Sequence, residues 1–337
     1  MPELDLDLSA VRAMVAVSDE GQFGLAAAVL GISQQAVSKR IAKLESHLNA
    51  QLFERRIGNA ALTAHGTRFL PHARSILATA DTAVAAVRDS QVLRVAVHGA
   101  QIADANLMRF YLEKHPNAEI ELIMMGPATT SRDAVIDGRV DVAFARRHWR
   151  TRPLPTHVCA IPAYLDALHL LVGKGHPLAD RNRVELEALE RLTAWVPGAG
   201  FDSEVGDFYG RLSDSCGITI TTEQHKGGIG FANVVDRIAK STTLVTFGGE
   251  GTTTPWHPDI RRIPIANPTP AYPMALLWRE AINGHPQLNS LIDFVIATYN
   301  GNAVDSMWVP EADRAFLHTM TARHDRADLE KRTAQQP

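Results

Sequence analysis

Residues 25–48 read LAAAVLGISQQAVSKRIAKLESHL, and the reading of the fold starts there. Leu25 to Leu30 is a short, Ala-rich helical stretch that stops at Gly31. A glycine tolerates the left-handed backbone that ends a helix, Ile32 can plug the turn, and Ser33 is a good N-cap for the next helix. Val37, Ile41, Leu44 and Leu48 then recur at helical spacing and make one apolar face. The opposite arc carries Gln35, Lys39 and Lys43, with Gln34 and Ser38 flanking it near the N-terminus. A helix built this way locks to its domain through the apolar face and offers its first polar residues to base edges in the major groove. Glutamine can pair twice with adenine there, and lysine can reach guanine or a phosphate. The plainer alternative is the solvated face of an ordinary helix. It is weakened because two short helices, a glycine turn, a cap and a basic cluster coincide.

On the N-terminal side, Val11, Met14 and Val15 give a first helix its apolar stripe. On the C-terminal side, Leu52 to Arg56 and Ile57 to Leu62, around Gly58 and Asn59, read as a hairpin wing. Arg55 and Arg56 would lie against phosphates or in a minor groove, fixing register and adding affinity. Thr63 can cap the long helix that follows. Between Ser33 and Arg74 stand Lys39, Arg40, Lys43, Arg55, Arg56, Arg68 and Arg74 against Glu45 and Glu54, a local net of +5 within a chain of net −3. A local basic face is what phosphate binding requires. Leu70, Ala73, Leu77, Ala80, Val84 and Val87 recur at spacings of three and four, a seam on one helix that tolerates Pro71 in its first turn. The seam predicts a connector that joins two copies of the chain, the alternative being a helix folded onto its own domain.

Past a boundary near Asp89 to Val92 the pattern alternates strand and helix. Strands are expected at 93–97, 119–124, 140–145, 168–172, 193–196, 218–222, 243–247, 260–265 and 274–278. Helices are expected at 106–114, 131–137, 204–213, 231–240 and 287–299. Two α/β lobes of this kind suggest a hinged cleft with a ligand at the carboxyl ends of the strands. The turns there supply Ala100, Gln101, Ile102, Thr129, Arg146, Trp195, Phe201 and Phe247 as candidate ligand contacts. Gln101 and Thr129 sit at helix N-termini, which favour anions, and Arg146 could clamp a carboxylate at two points between apolar walls at Trp195 and Phe201. A small, anionic, aromatic or amphipathic metabolite is therefore the expected ligand. Salt bridging or core packing is the plainer alternative for each of these residues.

The chain has 337 residues, 45% of them apolar and 21% charged, which suits about two soluble folded units. No apolar run approaches membrane-spanning length. Met1 to Ser9 carries Glu3, Asp5 and Asp7 and no basic residue, the reverse of a secretory signal, so a cytoplasmic protein is expected. Cys159 and Cys216 stand far apart and are expected as thiols. The 14 histidines show no metal-ligand spacing, and no metal or cofactor is expected. An enzyme is disfavoured: Val97 leads into His98, Gly99, Ala100 and Gln101 instead of a dinucleotide fingerprint, and no Walker motif, nucleophile elbow or zinc-protease motif occurs. Gly227, Gly228 and Gly230 form only a lone glycine cluster. A transport-type solute-binding protein would share the two lobes, but the DNA-reading segment argues against it.

Val15-Ala16-Val17, Gly21, Phe23, Ala26-Ala27, Ile32-Ser33-Gln34, Ala36-Val37-Ser38, Leu44-Glu45, Leu52-Phe53-Glu54-Arg55, Leu62-Thr63, Gly66 and Phe69-Leu70 together resemble the signature of LysR-type transcription regulators. The match covers nearly all of residues 8–77. A weaker echo at Gly138 to Ala143 and at His176-Pro177-Leu178-Ala179 carries it to about Tyr299. The resemblance implies an N-terminal winged helix-turn-helix over residues 1–66 and a linker and dimerisation helix over 67–90. It further implies a two-lobe, periplasmic-binding-protein-like α/β effector domain over 91–300. A C-terminal extension over 301–337 is expected to be partly mobile, with Pro310 starting one more helix containing Phe316, Leu317 and Met320. Double-stranded DNA with an interrupted dyad, a small-molecule effector and a tetramer made of two dimers are the implied partners. DNA contacts are expected at Ser33, Gln34, Gln35, Ser38, Lys39, Lys43, Arg55, Arg56 and Thr63. Two departures stand out: the family usually has proline where this chain has Gln35, and a basic residue near Ser9, so half-site preference does not carry over.

Overall fold

A computed structural model describes residues 6–55, 60–87, 92–99, 102–125, 130–200, 202–222 and 230–319. The chain divides between Gln91 and Val92 into two compact units, residues 133–141 being grouped with the first.

The first unit opens with helices α1 (Leu8–Glu20), α2 (Phe23–Leu30) and α3 (Gln34–Leu48). Strands β1 (Phe53–Arg55) and β2 (Ala60–Leu62) pair antiparallel, and the long helix α4 (Ala64–Val87) follows. Each junction is set by a local device. Asp7 caps α1 by accepting from the Ser9 amide, Gly21 ends it in the left-handed region, and Gly31 ends α2 the same way. Ser33 Oγ accepts from the Ala36 amide at 3.2 Å and starts α3. Val11, Met14, Ala26, Val37, Ile41, Leu44, Leu52 and Phe53 make one core, to which α4 adds Ala73 and Leu77. The amino-terminal half of the expected seam therefore packs onto its own unit. Val84, further along α4, is 47% exposed.

The second unit is built on one 11-stranded sheet. In chain order its elements begin with β3 (Leu93–Val97), α5 (Ala103–Lys114), β4 (Ile120–Met124), α6 (Ser131–Ile136) and β5 (Val142–Ala145). They continue with β6 (Val158–Gly173), β7 (Val184–Glu185), β8 (Thr193–Trp195), α7 (Glu204–Cys216), β9 (Thr219–Thr221) and α8 (Phe231–Ala239). The last are β10 (Leu244–Gly249), β11 (Ile260–Ala266), β12 (Thr269–Arg279), α9 (Pro286–Thr298), β13 (Met307–Trp308) and α10 (Glu311–Leu317). The order β4-β3-β5-β12-β6-β10-β8-β9 places β6 and β12 at the centre.

Two cores sit on this sheet. One gathers Val95, Met108, Tyr111, Phe144, Leu276, Leu291 and Phe294. The other gathers Leu170, Val172, Phe208, Leu212, Ile218, Val245 and Ile263, and Tyr272 packs against both. They correspond to the two expected lobes. The 16-residue β6 runs through both: residues 158–167 pair with β12, and residues from Leu168 on pair with β10 and β11. The sequence reading expects a strand only from 168. Pro162 and Asp166 obscure the earlier half, yet Pro162 falls where the pairing with β12 shifts register at Met274/Ala275, an irregularity at which a proline is tolerated. The expected late helix is α10, while Met320 and residues 325–337 lie outside the described residues.

Candidate nucleic-acid interface and ligand cleft

On α3 the residues Val37, Ile41 and Leu44 are buried, and Ser33, Gln34, Gln35, Ser38, Lys39 and Lys43 are exposed. The buried stripe fixes the rotation of the helix, so its first two turns present amides, a hydroxyl and an ammonium on one side. Glu45 anchors the wing behind it: its Oε1 accepts from the Leu52 amide at 2.7 Å and the Phe53 amide at 3.2 Å. The Phe23 and Phe53 rings meet edge to face at 5.8 Å and join the wing to α2. Thr63 caps α4, accepting from the Gly66 amide at 3.0 Å while donating to the Gln51 carbonyl at 2.6 Å.

The basic cluster is partly committed inside the unit. Arg74 pairs with Asp19 on α1, and Arg68 donates back to the Ala64 carbonyl at 3.3 Å. Lys43 lies 3.2 Å from Asp7, whose carboxyl is pulled down to about 2 by the Ser9 hydroxyl first and by Lys43 second. Lys39 stays exposed at the front of the helix. Arg55 ends β1, and Arg56 lies outside the described residues.

In the second unit the ends of β3 and β5 carry the polar groups. His98, just past β3, donates its backbone amide to Asp104 Oδ2 at 3.0 Å, and its Nδ1 lies 2.7 Å from the same oxygen. Its Nε2 lies 3.2 Å from Ser131 Oγ. Burial lowers this imidazole, but the hydrogen bond and charge of Asp104, helped by Glu204, outweigh burial and hold it above its ordinary value. The order Ser131, His98, Asp104 is that of a nucleophile relay. Ser131, however, is 0% exposed and offers no accessible hydroxyl.

Arg146, just past β5, is also 0% exposed. Its Nη1 donates to Asp207 Oδ2 at 3.0 Å and to the Glu204 carbonyl at 3.1 Å, both on α7. Its Nη2 donates to Asp313 Oδ2 on α10 at 2.8 Å. The carboxylates that this expected clamp holds here are those of its own chain, Asp207 and Asp313. Burial raises Asp207, but the hydrogen bonds of Arg211 and Arg146 outweigh it and hold the carboxyl below its usual range.

Two other expected contacts pack into cores of the second unit. Trp195 packs with Val234 and Ile238 under the Arg237 guanidinium, which lies 4.8 Å from its ring. Phe247 stacks on Tyr209 at 5.1 Å inside the second core. Large aromatics at strand ends gain more from these cores than from a solvated cleft wall. Ile102 stands exposed at the start of α5, whereas Ala100, Gln101, Thr129 and Phe201 lie outside the described residues.

A cavity of about 450 Å³ opens beside the amino end of α7, lined among others by Trp149, Thr151, Gly200, Ser203, Asp207 and Thr222. That volume suits a small metabolite. Sequence reasoning missed His98, Asp104, Ser131, Asp207 and Asp313. Two of them carried a readable signal: a histidine directly after the first strand, and an acid in the first turn of the next helix.

Among the described residues there is no helix long and apolar enough to cross a membrane, and no group of three or more His, Cys, Asp or Glu that could hold a metal ion. The family model for the bacterial regulatory helix-turn-helix proteins of the lysR family matches residues 8–67, and the LysR substrate binding domain matches residues 88–300. A probable hydrogen peroxide-inducible genes activator of Mycobacterium avium is 33% identical over 193 residues, 55% of this chain and 60% of that protein. A probable RuBisCO transcriptional regulator of Cyanidioschyzon merolae is 33% identical over 204 residues, 57% of this chain and 65% of that protein. In both, the matched stretch spans less than two thirds of the relative's own length. Among solved structures, a full-length OxyR from Pseudomonas aeruginosa superposes with a TM-score of 0.60 at 19% identity, covering 86% of this chain and 98% of that one. CbnR, a LysR family transcriptional regulator, gives 0.60 at 20% identity with 86% and 98% covered. CbnR in complex with its target DNA gives 0.57 at 21%, with 86% and 99% covered. These likenesses agree on the fold, and with both family models in place along its length the chain belongs to the lysR family of bacterial regulatory helix-turn-helix proteins.

Proposed function

We propose that this protein is a cytoplasmic transcription regulator whose helix α3 reads a dyad-symmetric DNA site and whose two-lobe domain responds to a small-molecule effector. The observation that carries the reading is α3 itself, with three buried apolar residues locking it down and Ser33, Gln34, Gln35, Ser38, Lys39 and Lys43 exposed from its cap onward. Relatives named as regulators and activators, and a structural neighbour bound to its target DNA, support the same reading. Gln34, Gln35 and Ser38 read bases. Lys39, Lys43, Arg55 and Arg56 supply phosphate contacts, while Ser33 and Thr63 orient the first amides of α3 and α4. The effector, an anion, binds between the lobes, with Ala100, Gln101, Ile102, Thr129, Arg146 and Phe201 as its candidate contacts. Two copies join along the carboxyl half of α4, and two such dimers form a tetramer.

Selection of genomic fragments by the purified protein tests the reading, and recovery of a shared inverted repeat is the expected result. Gln35→Ala then relaxes preference at one base, losing ~1–3 kcal/mol on the preferred one. Arg56→Ala weakens all sequences alike and lowers the salt slope by about one unit. Fragments recovered without a common sequence would remove the proposal.

A further inference from the structure

The chain beyond residue 300, where the family's substrate binding domain ends, is built into the site. Met307 and Trp308 form β13, pairing parallel with Thr269 and Pro270 of β12. Trp308 Nε1 donates to Ser215 Oγ on α7 at 2.8 Å. Helix α10 then buries Phe316 and Leu317, and Tyr299 Oη donates to the Leu317 carbonyl at 2.9 Å. This path delivers Asp313, 1% exposed, to two donors from the end of β5. Oδ2 accepts from Arg146 Nη2 at 2.8 Å, and Oδ1 lies 2.8 Å from His148 Nδ1. The Arg147 side chain donates to His148 Nε2 at 2.8 Å, which leaves Nδ1 as the proton-bearing nitrogen facing the carboxylate.

Each oxygen of Asp313 thus has its own donor, the two-point pattern by which proteins bind a free carboxylate. Asp207 already balances the Arg146 charge from α7, so Asp313 is a second carboxylate on one buried guanidinium. The two differ in how firmly they are held. Asp207 sits in a 13-residue helix and is also gripped by Arg211, whereas Asp313 sits in a seven-residue helix. Asp207 also lines the cavity of about 450 Å³ beside the amino end of α7.

We propose that Asp313 is a built-in occupant of a carboxylate-binding site made by Arg146 and His148, and that an effector carboxylate takes the site by displacing α10. This rests on the effector-controlled reading above. It turns the C-terminal segment into an internal competitor, so the ligand's apparent affinity is its intrinsic affinity reduced by the fraction of molecules in which α10 is docked.

Chemical rescue tests it. In the full-length Asp313→Ala protein, formate or acetate raises the thermal midpoint in a saturable way, while chloride at equal ionic strength does not and wild type responds only at higher carboxylate concentrations. If the two carboxylates do no more than chloride, Arg146 and His148 are not an anion site and the proposal falls. Amide exchange in wild type is the second measurement, and it does not depend on the variant folding. Acetate speeds exchange at residues 311–317; unchanged protection there at saturating acetate overturns the displacement of α10. A DNA footprint of Asp313→Ala indifferent to acetate, in a protein that acetate stabilises, would sink the effector-controlled reading while leaving the anion site standing.

Discussion

Gly66 has no room for a side chain. A Cβ there would stand 2.1 Å from the Leu52 carbonyl oxygen and 2.9 Å from Leu62 Cδ2. The carbonyl cannot step aside cheaply, because it accepts from the Thr63 amide at 2.9 Å while the Leu52 amide is held by Glu45. Gly66→Ala should therefore destabilise the head by roughly 1–3 kcal/mol through overpacking, seen as a lower urea midpoint with an unchanged slope. His169 is a different kind of constraint. It lies on β6 between Gly248 of β10 and Pro264 of β11, with neither ring nitrogen hydrogen-bonded among the described residues. Burial first, and Arg262 second, push its imidazole down to about 4 from 6.5. Between those two values the unfolded chain binds a proton that the folded one refuses, so stability rises with pH. The contribution is complete above pH 6.5 and is lost as pH falls toward 4. His169→Phe, which keeps an apolar ring in place, should flatten the unfolding free energy across that window; equal pH slopes in the two proteins would mean that the folded ring takes up the proton after all.

Helix α3 depends on its first residue. Ser33→Ala removes the acceptor for the Ala36 amide and should cost about 1 kcal/mol, a loss that Ser33→Asp would largely spare. Helix α4 gives the amino-terminal half of its seam to the core of its own unit. Leu77, 8% exposed, belongs to the core with Val11 and Met14, so Leu77→Asp should unfold the head whatever the oligomeric state. Val84, 47% exposed, is the better test of association: Val84→Asp should lower the mass seen by light scattering while leaving the thermal midpoint of the head unchanged. An unchanged mass in that variant would place the interface elsewhere. The seam was legible in the sequence because its period is local. Its partner was not, since a stripe at spacings of three and four satisfies a neighbouring helix of the same chain as well as a second copy.

At the scale of the whole molecule, what could be read from sequence was what repeats locally: the turn at Gly31, the cap at Ser33, the apolar face of α3 and the alternation of strand and helix. The ends of β3 and β5 were legible as places but not as chemistry. Arg146 meets Asp207 across 61 positions and Asp313 across 167, and no local pattern announces a carboxylate arriving from so far along the chain. The same distance makes the segment after Asn300 part of the fold. Val304, Val309, Phe316 and Leu317 are all buried against the second unit, each worth on the order of 1.5–3 kcal/mol before the entropy of ordering the segment is set against it. Loss of Asp313 adds the cost of removing one partner from a buried ionic cluster, roughly 3–5 kcal/mol where no other group replaces it and less here because Asp207 remains. A chain ending at Asn300 should therefore be less stable by at least about 3 kcal/mol, or fail to accumulate, whereas one ending at Thr319 keeps every contact described for the segment. Denaturant midpoints of the two truncated proteins decide the matter. Equal midpoints would make residues 301–319 an ornament on a domain already complete at Asn300, and would remove the structural basis for assigning Asp313 a part in ligand binding.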